Sequence, residues 1–162
     1  MNWLLKLTNT DQILYHGTNN EFDPQHWNPV NDSTNTTTFA LVKTTRHGIF
    51  LTNNQNFAKE FGSKTIKVKA NIQNTATINQ ELKSDFVNSI NPYSERELWL
   101  LAKYSQHSWG LFENEIGVLF VQWLKNEGYD SAIFDETIPT NESEVEGTTT
   151  VVFDPKLLTV IP

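Results

Sequence analysis

The order of hydrophobic patterns along the chain constrains its fold more than any other feature, because strand patterns stand toward both ends and helical patterns between them. From residue 65 to residue 72 apolar and polar side chains alternate strictly, which is typical of a half-buried strand. From residue 116 to residue 124 apolar side chains form one stripe at helical spacing, and Gly128 ends the pattern. Because strands and helices do not alternate regularly, the sequence predicts an α+β fold with helices in the middle of the chain.

The other predicted elements are shorter. Apolar runs beside turn residues predict strands at 13–16 (ending at Gly17), 48–52, 131–135, 149–153 and 157–161. Helices are predicted after the caps Asn53 and Asn54 up to Gly62, through Leu82, Phe86 and Ile90, and from Ser94 to Ala102. Two polar stretches without apolar periodicity, 28–38 and 137–147, are predicted to be surface loops.

Length and composition exclude several kinds of site. The chain has 162 residues and no linker, so one domain over 1–162 is expected. It has no cysteine, which excludes disulfides and thiolate chemistry, and its four histidines (His16, His26, His47 and His107) lack metal-ligand spacing, so no metal is expected. No signal peptide or membrane-length segment is recognisable, which favours a cytoplasmic protein without a membrane partner.

The net charge of −7 argues against a general nucleic-acid-binding surface, because such affinity comes from clustered Lys and Arg. Lys64, Lys67 and Lys69 leave a local basic path open. Alternation along a strand explains them better as a solvated strand face.

Two segments carry the candidate site. His16 ends an apolar strand directly before Gly17 and Thr18, so a rigid element would hold its imidazole beside backbone that a ligand can approach closely. A structural histidine with satisfied hydrogen bonds is the alternative. Phe50 stands at the centre of the 48–52 strand next to Gly48 and Ile49, and an aromatic face beside open backbone suits a flat ring that carries an amide.

These segments resemble the first two motifs of the His-Tyr-Glu class of ADP-ribosyltransferases, the lineage of diphtheria toxin and the poly(ADP-ribose) polymerases. Residues 14–18 (Leu-Tyr-His-Gly-Thr) are similar to the first motif, and residues 47–52 (His-Gly-Ile-Phe-Leu-Thr) with the helix at 57–61 are similar to the second. Residues 128–133 and 151–155 resemble the closing segments of small phage and bacterial members that accompany polyvalent phage proteins. The resemblance implies that class's split β-sheet core.

The resemblance also implies that NAD is the substrate. His16 would hydrogen-bond the 2′-hydroxyl of the nicotinamide-side ribose, and Gly17 would bond the carboxamide through its backbone. Phe50 would stack on nicotinamide where the class has a tyrosine, and Phe61 would form the opposite wall of the slot. The binding set carried over is Tyr15, His16, Gly17, Thr18, Gly48, Ile49, Phe50 and Phe61.

The third motif of the class differs in this chain. Thr149 stands where the class has a glutamate, and a threonine cannot act as a general base or carry a negative charge. The carboxylates open as replacements are Asp135, Glu136, Glu142, Glu144 and Glu146. We favour Glu136, because a strand end fixes a side chain better than a loop does, so the predicted catalytic set is His16, Phe50 and Glu136.

The resemblance therefore implies a mono-ADP-ribosyltransferase that uses NAD to modify a macromolecule, with a protein acceptor favoured over a nucleic acid. A phage counter-defence factor or a toxin acting in a bacterial cytoplasm fits the family by analogy. Two alternatives stay open. One is a catalytically inactive module that binds NAD or ADP-ribose, which Thr149 favours, and the other is a structural protein without a ligand.

Overall fold

One mixed β-sheet organises the computed structural model, which describes residues 11–27, 45–90 and 107–162. Its strands in these ranges are β1 (Gln12–Thr18), β2 (Ile49–Thr52), β3 (Lys64–Ala70), β4 (Thr75–Thr77), β5 (Ser131–Pro139), β6 (Glu144–Val152) and β7 (Leu158–Val160). Their order across the sheet is β4-β5-β6-β2-β1-β3-β7. Strands β4 and β5 pair in parallel, and the other neighbours are antiparallel.

Three α-helices accompany the sheet in the described ranges, and they are α1 (Gln55–Ala58), α2 (Gln80–Ser89) and α3 (Asn114–Asn126). Asn54 caps α1 as predicted, because its side-chain oxygen accepts the backbone N–H groups of Asn56 and Phe57. A 3-10 turn, Lys59–Phe61, continues α1 as far as Gly62. The predicted α+β class is confirmed. The predicted helix at 94–102 and the predicted loop at 28–38 lie outside the described residues.

The two faces of the sheet bury different cores. Val151 belongs to the core formed with α2 and α3, whereas its neighbour Val152 belongs to the core formed with β1 and β3. Successive residues of a strand point to opposite faces, so this pair marks the two sides. Phe86 of α2 and Phe120 of α3 are fully buried on the first side, which explains the apolar stripes of both helices.

The predicted loop at 137–147 is wrong, because this stretch forms the tip of a β-hairpin. Strands β5 and β6 remain paired as far as Pro139 opposite Glu144. The turn is closed by Thr140, whose backbone N–H and hydroxyl both donate to the Ser143 carbonyl, at 2.7 and 2.6 Å. Hydrogen bonds between the two strand backbones hold this polar stretch in place. Backbone bonds need no particular side chains, so the sequence shows no alternation of apolar residues here.

Two further differences concern strand length. The predicted strand at 13–16 does not end at Gly17 but runs on to Thr18, because β1 stays paired with β3 up to Thr18 opposite Lys64. Strand β4 was not predicted, since three residues are too short to show an alternation. The lysines of β3, Lys64, Lys67 and Lys69, are exposed, but only Lys67 and Lys69 share a face, because Lys64 lies on the other side of the strand.

Candidate functional site

The sheet opens between β1 and β2, and the candidate site lies at this opening. Within the described residues β1 and β2 share one register pair, Tyr15 with Thr52, whereas β1 and β3 stay paired from Gln12 to Thr18. Beyond that pair a side chain bridges the strands, since His16 Nδ1 donates to the Phe50 carbonyl oxygen at 2.8 Å. A carbonyl oxygen only accepts, so this bond places a proton on Nδ1.

Packing fixes the orientation of the His16 ring. The side chain is 5% exposed, and its ring centroid lies 4.1 Å from that of Phe22. The imidazole is therefore held on one side by an aromatic ring and at Nδ1 by backbone. The Nδ1 bond agrees with a structural role for His16, and the fixed ring also has the geometry that a binding residue needs.

Two adjoining clefts occupy the opening. The narrow cleft holds about 320 Å³ including its open mouth, and β1, β2 and α1 all contribute to its lining. The wide cleft holds about 970 Å³ including open solvent, and it shares Arg46, Phe50 and Phe61 with the narrow one. Both clefts are open to solvent rather than enclosed.

Most of the residues predicted for the site meet here. The narrow cleft is lined by Tyr15, His16, Gly17, Phe50 and Phe61. Glu136 lines the wide cleft together with Phe50 and Phe61. Segments that are far apart in the sequence thus come together around one opening in the sheet.

Three of the predicted binding residues do not line either cleft. Thr18 is buried, and its hydroxyl accepts the Asn20 N–H at 3.1 Å. Ile49 is buried in the core on the opposite face of β2 from Phe50. Gly48 has a φ of +143°, and a Cβ there would overlap the Val151 side chain, so this glycine serves the packing of β2 on β6.

Gly17 serves helix packing as well as the cleft. A Cβ at Gly17 would overlap the carbonyl oxygen of Ala58 in α1. The missing side chain therefore lets α1 approach β1, which brings Phe61 to the wall of the narrow cleft. We predicted this glycine for ligand approach, and the space beside its Cα is filled by the helix.

Glu136 lies beside the threonine that replaces the class's glutamate. The Thr149 hydroxyl donates to Glu136 Oε2 at 2.7 Å across the hairpin. Asp135, the preceding residue, is exposed and accepts from Thr148 at 2.9 Å on the other face. The predicted alternation of Asp135 and Glu136 is confirmed, and it puts the Glu136 carboxylate on the cleft face.

The surroundings of Glu136 favour its protonated form more than water does. Burial raises the pKa of Glu136, while the Thr149 hydrogen bond and the Arg46 charge act in the opposite direction. Burial disfavours the charged carboxylate, and a donor or a cation nearby favours it. Glu136 therefore takes up a proton at a higher pH than an exposed glutamate does.

Arg46 is a site residue that we did not predict. Its guanidinium carbon lies 4.3 Å from the centroid of the Phe50 ring, and its Nε lies 3.6 Å from Glu113 Oε1. The side chains of Arg46 and Glu113 are 12% and 3% exposed. Burial lowers the pKa of Arg46, and the carboxylates of Glu113 and Glu136 oppose that shift, so the buried guanidinium stays charged. The sequence gives only a weak indication of this role: Arg46 is one of two arginines in the chain and stands directly before the second motif.

The backbone around Arg46 is clamped to the start of α3. Arg46 and Glu113 form an isolated β-bridge, and the Asn114 N–H donates to the Thr45 carbonyl at 2.7 Å. Asn114 Oδ1 accepts the Thr45 N–H in return at 3.2 Å. The His47 N–H adds a bond to the Phe112 carbonyl at 2.8 Å. These bonds fix where the Arg46 side chain begins.

The described ranges contain no group of three or more His, Asp or Glu side chains that could hold a metal ion. Nor do those ranges include a helix long and apolar enough to cross a membrane.

Comparison with known proteins identifies no family. No protein-family model and no curated protein matches the chain. A solved structure named "Crystal structure of an anti-CRISPR protein" is similar at a TM-score of 0.37 and 15% identity, over 94% of this chain and 96% of that one. At this TM-score the similarity assigns neither fold nor function.

Proposed function

We propose that this protein is an NAD-dependent mono-ADP-ribosyltransferase with the split sheet of that class. The observation that carries the proposal is the convergence of His16, Phe50 and Glu136, from three strands, on the clefts between β1 and β2. A carboxylate can stabilise the positive charge that develops when the nicotinamide–ribose bond of NAD breaks, and an imidazole and an aromatic ring can hold the ribose and the nicotinamide.

Each part of NAD would contact a different set of cleft residues. The nicotinamide ring would lie between the aromatic side chains of Phe50 and Phe61, which form part of both clefts. His16, held by the Phe50 carbonyl, would bond the ribose 2′-hydroxyl. The rest of the dinucleotide would extend into the wide cleft, which adjoins the narrow one at Arg46, Phe50 and Phe61.

The reaction needs one bond to break and one to form. The bond between the anomeric carbon and the nicotinamide nitrogen breaks, and nicotinamide leaves as a neutral molecule. Positive charge develops on the ribose, and the Glu136 carboxylate would stabilise it. A nucleophilic oxygen or nitrogen of the acceptor then bonds the anomeric carbon and gives its proton to Glu136. We propose a protein as the acceptor, because the net charge of −7 opposes association with nucleic acid.

Incubation with NAD labelled in its ADP-ribose part tests this function. We expect wild-type protein to release nicotinamide and to transfer the label to an acceptor. A second candidate function, an inert NAD-binding module, is favoured by Thr149 at the position of the class's glutamate. Binding of NAD in calorimetry without release of nicotinamide would establish the inert module. Absence of both binding and release would exclude both functions.

The pH dependence of transfer is expected to report on Glu136. Its carboxylate must be ionised to act, so the rate should fall as the pH drops through the raised pKa of Glu136. Thr149→Val removes a hydrogen bond that lowers this pKa, so the acid limb of the pH–rate profile should move to higher pH. Thr148→Val, which loses only the bond to Asp135 on the opposite face, is the matched control. An unshifted profile in Thr149→Val would mean that another group sets the limb.

A further inference from the structure

The Phe50 ring is covered on the side that faces the clefts. The Arg46 guanidinium lies over the ring at 4.3 Å, and Arg46 itself lines both clefts. The other ring contacts of Phe50, with Phe112 and Phe134, belong to the hydrophobic core. A flat ligand ring cannot share the face with a guanidinium, so Arg46 must move before a ring can stack there.

Arg46 is held over Phe50 from outside the clefts. Its ion-pair partner Glu113 is 2% exposed and does not line either cleft. The clamp between residues 45–47 and 112–114 uses Asn114 at a φ of +53°, a left-handed conformation that asparagine tolerates better than most residues. Glu113 can thus affect a ligand in the clefts through Arg46, without touching that ligand.

Displacing Arg46 requires compensation. Moving the guanidinium away from Glu113 separates two nearly buried charges, which is unfavourable unless another anion takes up the arginine. The wide cleft offers space into which the guanidinium can turn, and its charged lining includes Lys59 as a second cation together with the carboxylates of Glu60 and Glu136. A phosphate group is a strong partner for arginine, because its oxygens match the two parallel N–H groups of the guanidinium.

We propose that Arg46 is a specificity-determining residue of the NAD site, a cover on Phe50 that a ligand removes only if it carries both a flat ring and a phosphate. This inference rests on the proposed function and names the part of NAD that opens the site. The diphosphate draws Arg46 into the wide cleft, and the nicotinamide ring then takes the uncovered face of Phe50. Nicotinamide alone has no phosphate and meets a covered ring. The freed product therefore does not compete effectively with NAD.

Calorimetry with nicotinamide and with NAD tests this role in three proteins: wild type, Arg46→Met and Glu113→Gln. Arg46→Met removes both the cover and the phosphate partner, so nicotinamide should bind about tenfold more tightly and NAD about tenfold more weakly. Glu113→Gln loosens the cover but keeps the arginine, so both ligands should bind more tightly. Glu115→Gln makes the same chemical change at an exposed position outside the clefts and should alter neither affinity.

The opposite signs for the two ligands in Arg46→Met are the expected signature. If Arg46→Met weakened the binding of nicotinamide and of NAD equally, Arg46 would only hold ligands, and the proposal that it covers Phe50 would be wrong. Unchanged nicotinamide affinity in Glu113→Gln would also show that Arg46 does not cover Phe50. If Arg46→Met does not fold, the result for Glu113→Gln decides whether Arg46 is a cover. NAD binding with the expected signs but without nicotinamide release would overturn the transferase and leave the cover standing. Absence of NAD binding in all three proteins would overturn both.

Discussion

Glu136→Gln is expected to abolish transfer of ADP-ribose while NAD still binds. The substitution keeps the size of the side chain and its ability to accept from Thr149, and it removes only charge and basicity. Because the carboxylate acts mainly in the transition state, transfer should fall by around 10²-fold or more. Nicotinamide release measures the rate, and calorimetry measures the NAD affinity.

Asp135→Asn is the matched control for this variant. It makes the same chemical change one residue earlier, on the face of β5 that bonds Thr148 and points away from Phe50. Full transfer is expected in Asp135→Asn. Loss there with full activity in Glu136→Gln would reverse the assignment. Activity in both would move the acid to the hairpin tip, where the remaining carboxylates are Glu142, Glu144 and Glu146.

Gly17→Ala is expected to destabilise the folded protein strongly. The new methyl group would overlap the Ala58 carbonyl oxygen, which belongs to backbone and cannot rotate away. Helix α1 cannot retreat easily, because Phe57 is 1% exposed and packs directly on Gly147 of β6. Overpacking of this kind should lower the free energy of unfolding by about 3 kcal/mol, measured by chemical denaturation.

Gly128→Ala provides a comparison without a steric overlap. A Cβ there would meet only Asn74 Nδ2, at 3.8 Å, although the φ of +93° strains any side chain. We expect a loss of roughly 1 kcal/mol from backbone strain alone. If Gly17→Ala is as stable as wild type, α1 is not packed against β1 in solution as the structure has it.

The fold was most predictable where local chemistry decides it. The strands of both motifs, the Asn54 cap and the stripe of α3 depend on residues that are neighbours in the sequence, so their patterns can be read directly. The convergence of His16 and Phe50 was expected from the chemistry of their two segments and from the resemblance, because no periodicity says which strands lie side by side. Their direct bond, from imidazole to backbone carbonyl, has no counterpart in a sequence pattern.

The residues that sequence reasoning missed depend on contacts between distant segments. Arg46 becomes a site residue because α3 supplies Glu113, sixty-seven positions further along the chain, as its buried partner. The hairpin tip was not predicted because its strands are polar. Backbone pairing holds them together, and they show no alternation of apolar and polar residues. The hydrogen bond between Thr149 and Glu136 depends on the register of that hairpin, so this bond could not be inferred from the sequence either.

The opening between β1 and β2 has a mechanical consequence. Within the described sheet, one register pair and one imidazole bond join a three-stranded part (β1, β3 and β7) to a four-stranded part (β2, β6, β5 and β4). Helix α1 and one hydrophobic core also contact both parts. Each part keeps its own ladder if these two bonds break, so we expect the sheet to open more easily here than between its other strands. A ligand that contacts both parts should then reduce this opening. Amide hydrogen exchange along β2 would slow on binding, while exchange along the β1–β3 ladder would change little.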